Sequence, residues 1–311
     1  MNIGIISLGC AKNLVDSELF LGLSKKYGLN ITSNLNDADF IVINTCGFIA
    51  SSKAESIDTI IEMLEYQQYG KKIIVMGCLV ERYLDSLKDE IPEVDKFIPI
   101  KDYDHLDLVF KEFLDTTDTF NFDYTKRVIS TPAKTAYLRI GEGCNNKCHY
   151  CAIPLIRGSY KSRSFESLME EVEYLHQEGI LELTVIAQDT TTYGSDLENM
   201  SLAKLLDSIA SLNYFKWIRV LYLYPDEITD ELIQTFKKHD SILNYFDIPI
   251  QHASNKILEN MNRRGTKEYI RFIINKIREE IPTSIIRTTL IVGYPTETEK
   301  DFRELTDFVK E

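Results

Sequence analysis

The chain has 311 residues, enough for two ordinary domains, and its 44% hydrophobic and 27% charged residues match a soluble globular protein rather than a disordered one. Its longest uncharged run, residues 40–52, is thirteen residues long. A membrane-spanning helix needs about 20 apolar residues, so no membrane span is expected. The net charge of −13 disfavours a protein that coats nucleic acid or anionic lipid, because the summed field repels polyanions.

The first ten residues end at Cys10 and superficially resemble a lipoprotein cleavage site. They lack a basic leading region, and the apolar stretch is too short for a secretory signal. A buried first strand and a cytoplasmic location are expected instead. Up to residue 114, apolar runs at 3–8, 40–45, 73–76 and 97–100 alternate with amphipathic stretches at 13–27, 52–66, 81–90 and 105–114. That alternation predicts βαβ units, and hence an α/β, doubly wound parallel-sheet domain over residues 1–115. Residues 116–132 break the rhythm: they are polar, rich in Thr and Asp, and end at Pro132. They read as a linker.

A second βα series fills 133–311, with candidate strands at 137–141, 183–187, 218–223, 246–250 and 285–292. The helices fall at 167–177, 201–212, 229–238 and 267–280. Five βα steps of similar length predict a partial (β/α) barrel. The chain stops inside an apparent helix at 300–310, so it is expected to be a truncated piece of a longer protein.

Cys144, Cys148 and Cys151 form a CxxxCxxC motif just after the first strand of this series. Three thiolates on one short loop can hold three irons of a [4Fe–4S] cube. The missing fourth ligand leaves one iron open to chelate the amino and carboxylate groups of S-adenosylmethionine (SAM), whose C–S bond one electron then breaks. Zinc would want a fourth ligand, for which His149 is the nearest candidate. A ligand between two close cysteines would strain the loop, and inert cysteines would not cluster three within eight residues. Residues 144–164 carry Lys147, Arg157, Lys161 and Arg163 with no Asp or Glu. This basic stretch is either a solvated loop or an anion-facing rim of the active site.

Cys10, Cys46 and Cys78 are scattered, yet each directly follows a predicted strand and is flanked by Gly9, Gly47 or Gly77. In an open parallel sheet, loops at the carboxyl ends of strands share the edge where ligands bind. Taken singly, each cysteine reads as a small buried hydrophobe; three at equivalent positions predict a second cluster, also with an open iron.

With these residues in place, the chain resembles the radical SAM methylthiotransferase family over essentially its whole length. The stretch Ser7-Leu-Gly-Cys-Ala-Lys-Asn-Leu-Val-Asp-Ser-Glu18 is similar to the RimO-like branch, which reads SLGCxKNxVDSE, rather than to the MiaB-like branch, which tends to read GCQMN. Cys151-Ala-Ile-Pro-Leu-Ile-Arg-Gly158, Gln188-Asp-Thr-Thr191 and Pro249-Ile-Gln-His-Ala253 fit the same pattern.

The resemblance implies a transferase that adds sulfur and a SAM-derived methyl group to the β-carbon of an aspartate in ribosomal protein uS12, free or on the small subunit. It further implies two [4Fe–4S] clusters, the first serving as sulfur source or carrier, with SAM as cofactor and an external electron donor. The family ends in a TRAM domain that nothing here matches. Tyr150, beside the last thiol, reads as an adenine contact or an ordinary loop aromatic. Gln188 is placed to meet the methionyl amine, and Val292 and Gly293 either line the adenine or form barrel core. His252 is unassigned. Arg157 and Arg163 are expected to face the substrate carboxylate. Three other readings stay open: a MiaB-type tRNA adenosine methylthiotransferase, disfavoured by the net charge and the SLGCAKN stretch; a non-catalytic iron–sulfur carrier or scaffold; and a structural zinc protein.

Overall fold

The structure is a computed structural model describing residues 1–132 and 134–311; residue 133, the expected start of the second domain, lies outside the described residues. The chain divides into two compact units. One comprises Met1–Ser130 with Leu155–Arg157, and the other Thr131–Pro154 with Gly158–Glu311.

In the first unit, among the described residues, five parallel strands stand in the order β2-β1-β3-β4-β5. They are β1 (Asn2–Ser7), β2 (Asn30–Ile31), β3 (Phe40–Thr45), β4 (Lys72–Gly77) and β5 (Lys96–Ile98). Between or after them run helices α1 (Ala11–Lys26), α2 (Ala50–Leu64), α3 (Cys78–Glu90) and α4 (Leu106–Leu114). Every residue of β3 is buried, because alternate side chains enter two separate cores. Phe40 and Val42 join Ile3, Phe20 and Phe110 on the face covered by α1 and α4. Ile41 and Ile43 join Ile60, Met63 and Val80 on the face covered by α2 and α3. The doubly wound reading holds. Strand β2 was missed because its two residues are both exposed and carry no apolar pattern.

The expected linker needs correction. Up to Ser130 it packs onto the first unit as a strap: Phe120, Phe122 and Val128 lie against the α1/α4 core, and Phe120 meets the edge of Tyr27 with ring centroids 4.9 Å apart. Its anchor is Arg127, 1% exposed, whose Nη1 donates to Glu18 Oε2 of α1 at 3.0 Å. The other carboxylate oxygen, Oε1, accepts from the Ser130 backbone N–H at 2.8 Å and from its hydroxyl at 2.9 Å. Composition showed only a polar stretch, and the partner of its arginine lies 109 residues earlier.

In the second unit, β6 (Thr135–Arg139), β9 (Glu182–Ile186), β10 (Trp217–Val220), β11 (Ile242–Asp247) and β12 (Ile285–Arg287) form a parallel sheet. Its spatial order follows the chain order, as a partial (β/α) barrel requires. A short antiparallel pair, β7 (Gly141–Glu142) and β8 (Lys161–Ser162), flanks α5 (Ile153–Arg157). The remaining helices are α6 (Phe165–Gln177), α7 (Leu202–Ser211), α8 (Asp230–Lys238), α9 (Asn255–Asn260), α10 (Lys267–Glu280) and α11 (Glu299–Lys310). Ser164, Ser201, Thr229 and Thr266 cap α6, α7, α8 and α10 through their side-chain oxygens, which satisfies backbone donors left over at each start. The last strand is shorter than expected: pairing stops at Arg287 and resumes as one bridge between Gln251 and Leu290. Among the described residues, no helix is long and apolar enough to cross a membrane.

Removing one partner of a buried ion pair leaves an uncompensated charge, at a cost of about 3–5 kcal/mol. Glu18→Ala and Arg127→Met are each expected to lower the unfolding free energy by about that much, measured by urea denaturation. The double variant Glu18→Leu/Arg127→Met should lose clearly less than the two single losses added together, because it buries no orphan charge.

Candidate metal centres

The strand register of the first unit sets where its cysteines fall. Ser7 pairs with Asn44 across β1 and β3, and Asn44 pairs with Met76 across β3 and β4. The chain therefore leaves three adjacent strands at nearly one level, with Cys10, Cys46 and Cys78 two or three residues beyond those paired positions. The strand order reverses between β1 and β3, and that switch point is where open α/β sheets bind ligands.

Two glycines allow the loops to close in. A Cβ on Gly47 would stand 2.8 Å from the Cys78 carbonyl oxygen. Gly9, at φ +94°, would bring a Cβ to 3.0 Å from Cys46 Cβ. Cys10 Sγ and Cys78 Sγ both point at Asn13 Oδ1, at 3.7 and 3.4 Å. Asn13 is fixed in turn, donating from Nδ2 to Thr45 O at 2.9 Å. Cys10 and Cys78 also sit at the amino ends of α1 and α3. Burial pushes the Cys78 thiol above its usual range, with the Arg157 guanidinium opposing the shift.

In the second unit the motif loop lies between β7 and α5, and its neighbours hold it residue by residue. Asn146 Nδ2 donates to Asp189 Oδ2 at 2.6 Å, and Thr191 Oγ1 donates to Asp189 Oδ1 at 2.7 Å. Lys147 O accepts from Asn262 Nδ2 at 2.8 Å, and the His149 backbone N–H donates to Met261 O at 3.0 Å. Arg263 Nη1 donates to the Tyr150 hydroxyl at 3.2 Å, and its guanidinium lies 4.1 Å from the centre of the Tyr224 ring. Within the loop, the Cys151 N–H donates to Cys148 O at 3.0 Å. Burial pushes the Cys144 thiol up to about 11, with the Asp189 carboxylate adding to it, and burial also raises the Cys151 thiol.

Among the described residues, no three Cys, His, Asp or Glu side chains form a group that could hold a metal ion as they stand. The test of fit therefore rests on the donor sets. Each unit offers three thiols on adjoining loops, soft ligands suited to iron–sulfur clusters. His149 Nδ1 lies 2.8 Å from Asn260 O, a contact that fixes the ring through one nitrogen only.

Several expectations change. Arg157 and Arg163 do not face outward. Arg157 Nη2 lies 2.8 Å from Asp16 Oδ2, and the two side chains are 2% and 1% exposed. Arg163 is bound to Glu171, to Ser167 Oγ at 3.0 Å and to Arg139 O at 2.9 Å. The two arginines of the basic stretch are thus paired inside the fold, whereas Lys147 and Lys161 are exposed. Gln188 donates from its amide to Glu142. Val292 is 58% exposed rather than barrel core, and Gly293 N donates to Glu297 Oε2 at 2.6 Å. His252 is fully buried, its Nδ1 accepting from Ser254 N at 2.9 Å, with Nε2 3.5 Å from Glu297. Asn146, Asp189, Arg263 and Tyr224 were not singled out beforehand. Their signal is the Asn-rich and Arg-rich segment 260–264 and an Asp three residues past β9, which becomes meaningful only once β9 and α9 are folded.

Residues 138–309 match the family model described as the radical SAM superfamily, and residues 2–99 match the one described as uncharacterized protein family UPF0004. The ribosomal protein uS12 methylthiotransferases RimO of Clostridioides difficile and Alkaliphilus oremlandii are each 51% identical to this chain, covering 100% of it and 72% of their own length. The RimO of Aquifex aeolicus is 46% identical, with 100% and 70% covered. Among solved structures, the radical SAM methyltransferase TsrM from Kitasatospora setae superposes with a TM-score of 0.71 at 13% identity, over 99% of this chain and 70% of that one. The cobalamin-dependent radical SAM enzyme OxsB gives 0.69 at 13%, over 100% and 52%. At that identity these two structures speak for the fold alone.

Gly47→Ala places a methyl group against the Cys78 backbone. Overpacking of this kind costs about 1–3 kcal/mol, so the variant should unfold at lower urea by that amount. The control Gly70→Ala, where nothing lies within 4 Å of the new carbon, should show no steric loss, its only strain being the left-handed backbone.

Proposed function

Because the chain belongs to the RimO family of radical SAM methylthiotransferases, we propose that it transfers a methylthio group to the β-carbon of an aspartate in ribosomal protein uS12. The observation that carries this reading is the pair of thiol trios. Each stands on loops beyond the strands of a parallel sheet, and one lies inside the stretch that matches the radical SAM superfamily.

The radical SAM family implies SAM and one [4Fe–4S] cluster; in our reading Cys144, Cys148 and Cys151 hold that cluster, and Cys10, Cys46 and Cys78 hold a second. When bound, the first supplies the electron that cleaves SAM and the second supplies or carries sulfur. The chain's own part is placement. Asp189 through Asn146, and the 260–263 segment through Lys147, His149 and Tyr150, hold the motif loop before any ligand arrives, so less ordering entropy remains to be lost on binding. Arg139 pairs with Ile186 where β6 and β9 end. Gln188 and Tyr150 therefore stand beyond the same sheet edge as the three thiols, which supports a SAM site there, with Val292 and Gly293 past β12 as further contacts. The thiols raised by burial must release their protons as iron binds. A cytoplasmic location and an external electron donor complete the reading.

Anaerobically reconstituted protein should bind about twice the iron of a Cys144/Cys148/Cys151→Ala variant, since each cube is held by its own thiolates; equal iron in both proteins would sink the two-cluster reading. Cys148→Ala should abolish 5′-deoxyadenosine formation, whereas Cys46→Ala should keep part of it and insert no sulfur. Substrate is decided by mass spectrometry after incubation with a peptide copying the aspartate loop of uS12 and, separately, with isopentenylated tRNA. A methylthio mass gain on the tRNA and none on the peptide would move the chain to the tRNA-modifying branch.

A further inference from the structure

Arg157 lies six residues past Cys151 in sequence, yet with Leu155 and Ile156 it belongs to the first compact unit. Its guanidinium is buried there in a set of side chains that all surround the N-terminal thiols. Nη2 lies 2.8 Å from Asp16 Oδ2, 3.1 Å from Asn13 Oδ1 and 3.4 Å from Cys78 Sγ. Asn13 Oδ1 is the same atom that both Cys10 and Cys78 address. A buried arginine needs its charge answered, and Asp16 does that. Asp16 alone, however, does not explain why the fork also reaches a cysteine sulfur.

We propose that Arg157 is a positioning residue for the N-terminal thiolate set: held by Asp16 and Asn13, it donates a charge-assisted hydrogen bond to Cys78 Sγ and raises the reduction potential of the cluster held by Cys10, Cys46 and Cys78. This rests on the reading of those three cysteines as a ligand set. Hydrogen bonds to cluster sulfurs and nearby charge are among the main determinants of iron–sulfur potentials. A positive donor beside the sulfur stabilises the reduced, more negative state. A guanidinium suits this place because it is rigid, always charged and more weakly hydrated than an ammonium, so burying it beside a sulfur costs less than burying a lysine.

The test isolates the N-terminal cluster in the full chain carrying Cys144/Cys148/Cys151→Ala, reconstituted anaerobically. The cluster is then reduced by one electron with dithionite in an EPR-monitored potentiometric titration. In that background Arg157→Met is expected to move the midpoint to more negative potential, and Arg157→Lys to move it less. Arg157→Met removes the guanidinium that Asp16 faces and can fail to fold, so the double variant Asp16→Asn/Arg157→Met removes the pair together. Its expected result is the parent's iron content and circular dichroism with a midpoint more negative than that of Asp16→Asn alone. A midpoint equal to that of Asp16→Asn in the loaded double variant overturns the inference. If the triple-alanine parent takes up no iron at all, the ligand-set reading fails instead, a distinct result.

Discussion

Everything at the N-terminal centre depends on the register of three neighbouring parallel strands. Because β1, β3 and β4 run the same way and pair level with one another, the chain turns off each at the same edge. Three residues 36 and 32 positions apart in sequence thereby become neighbours. Slipping one strand by a single residue would exchange its core faces and carry its cysteine off the shared level. The two hydrophobic cores that fix this register, one on each face of β3, are therefore as much a part of the centre as the thiols.

The second unit solves the same problem by another route. Its three thiols are close in sequence, so convergence costs the fold nothing, but a short loop would otherwise wander. Here the sheet edge and the turn after α9 act as a jig: Asp189 grips Asn146 on one side, and residues 260–263 grip Lys147, His149 and Tyr150 on the other. One unit uses long-range topology to gather distant residues, and the other uses polar contacts to steady adjacent ones.

This difference sets what the sequence could reveal. CxxxCxxC stands out by spacing alone, and it lies inside the stretch that matches the radical SAM superfamily. The strand-following positions of Cys10, Cys46 and Cys78 are legible because apolar runs mark strands and a parallel sheet has one ligand-binding edge. Charged residues gave no such guidance. Arg157 and Arg163 stood out as a basic stretch without acids nearby, yet the partner of Arg157 is Asp16 and that of Arg163 is Glu171. Local composition records which charges are present and says nothing of which carboxylate they meet. The strap at 116–130 was misread for the same reason: Arg127 looks like part of a polar tether until Glu18 is seen beneath it.

The placement of Arg157 has a consequence for the order in which the chain matures. Synthesis delivers the N-terminal unit first, and domains generally fold as they emerge. Yet Asp16, buried on α1, has its guanidinium partner 141 residues downstream, beyond the whole sheet, the strap and the CxxxCxxC loop. An N-terminal unit that closed early would bury that carboxylate without Arg157 to answer it. Completion of this unit is thus tied to the arrival of the loop after the second cysteine motif, so the N-terminal thiols acquire their finished surroundings only once the residues that read as the SAM-cleaving centre have been made.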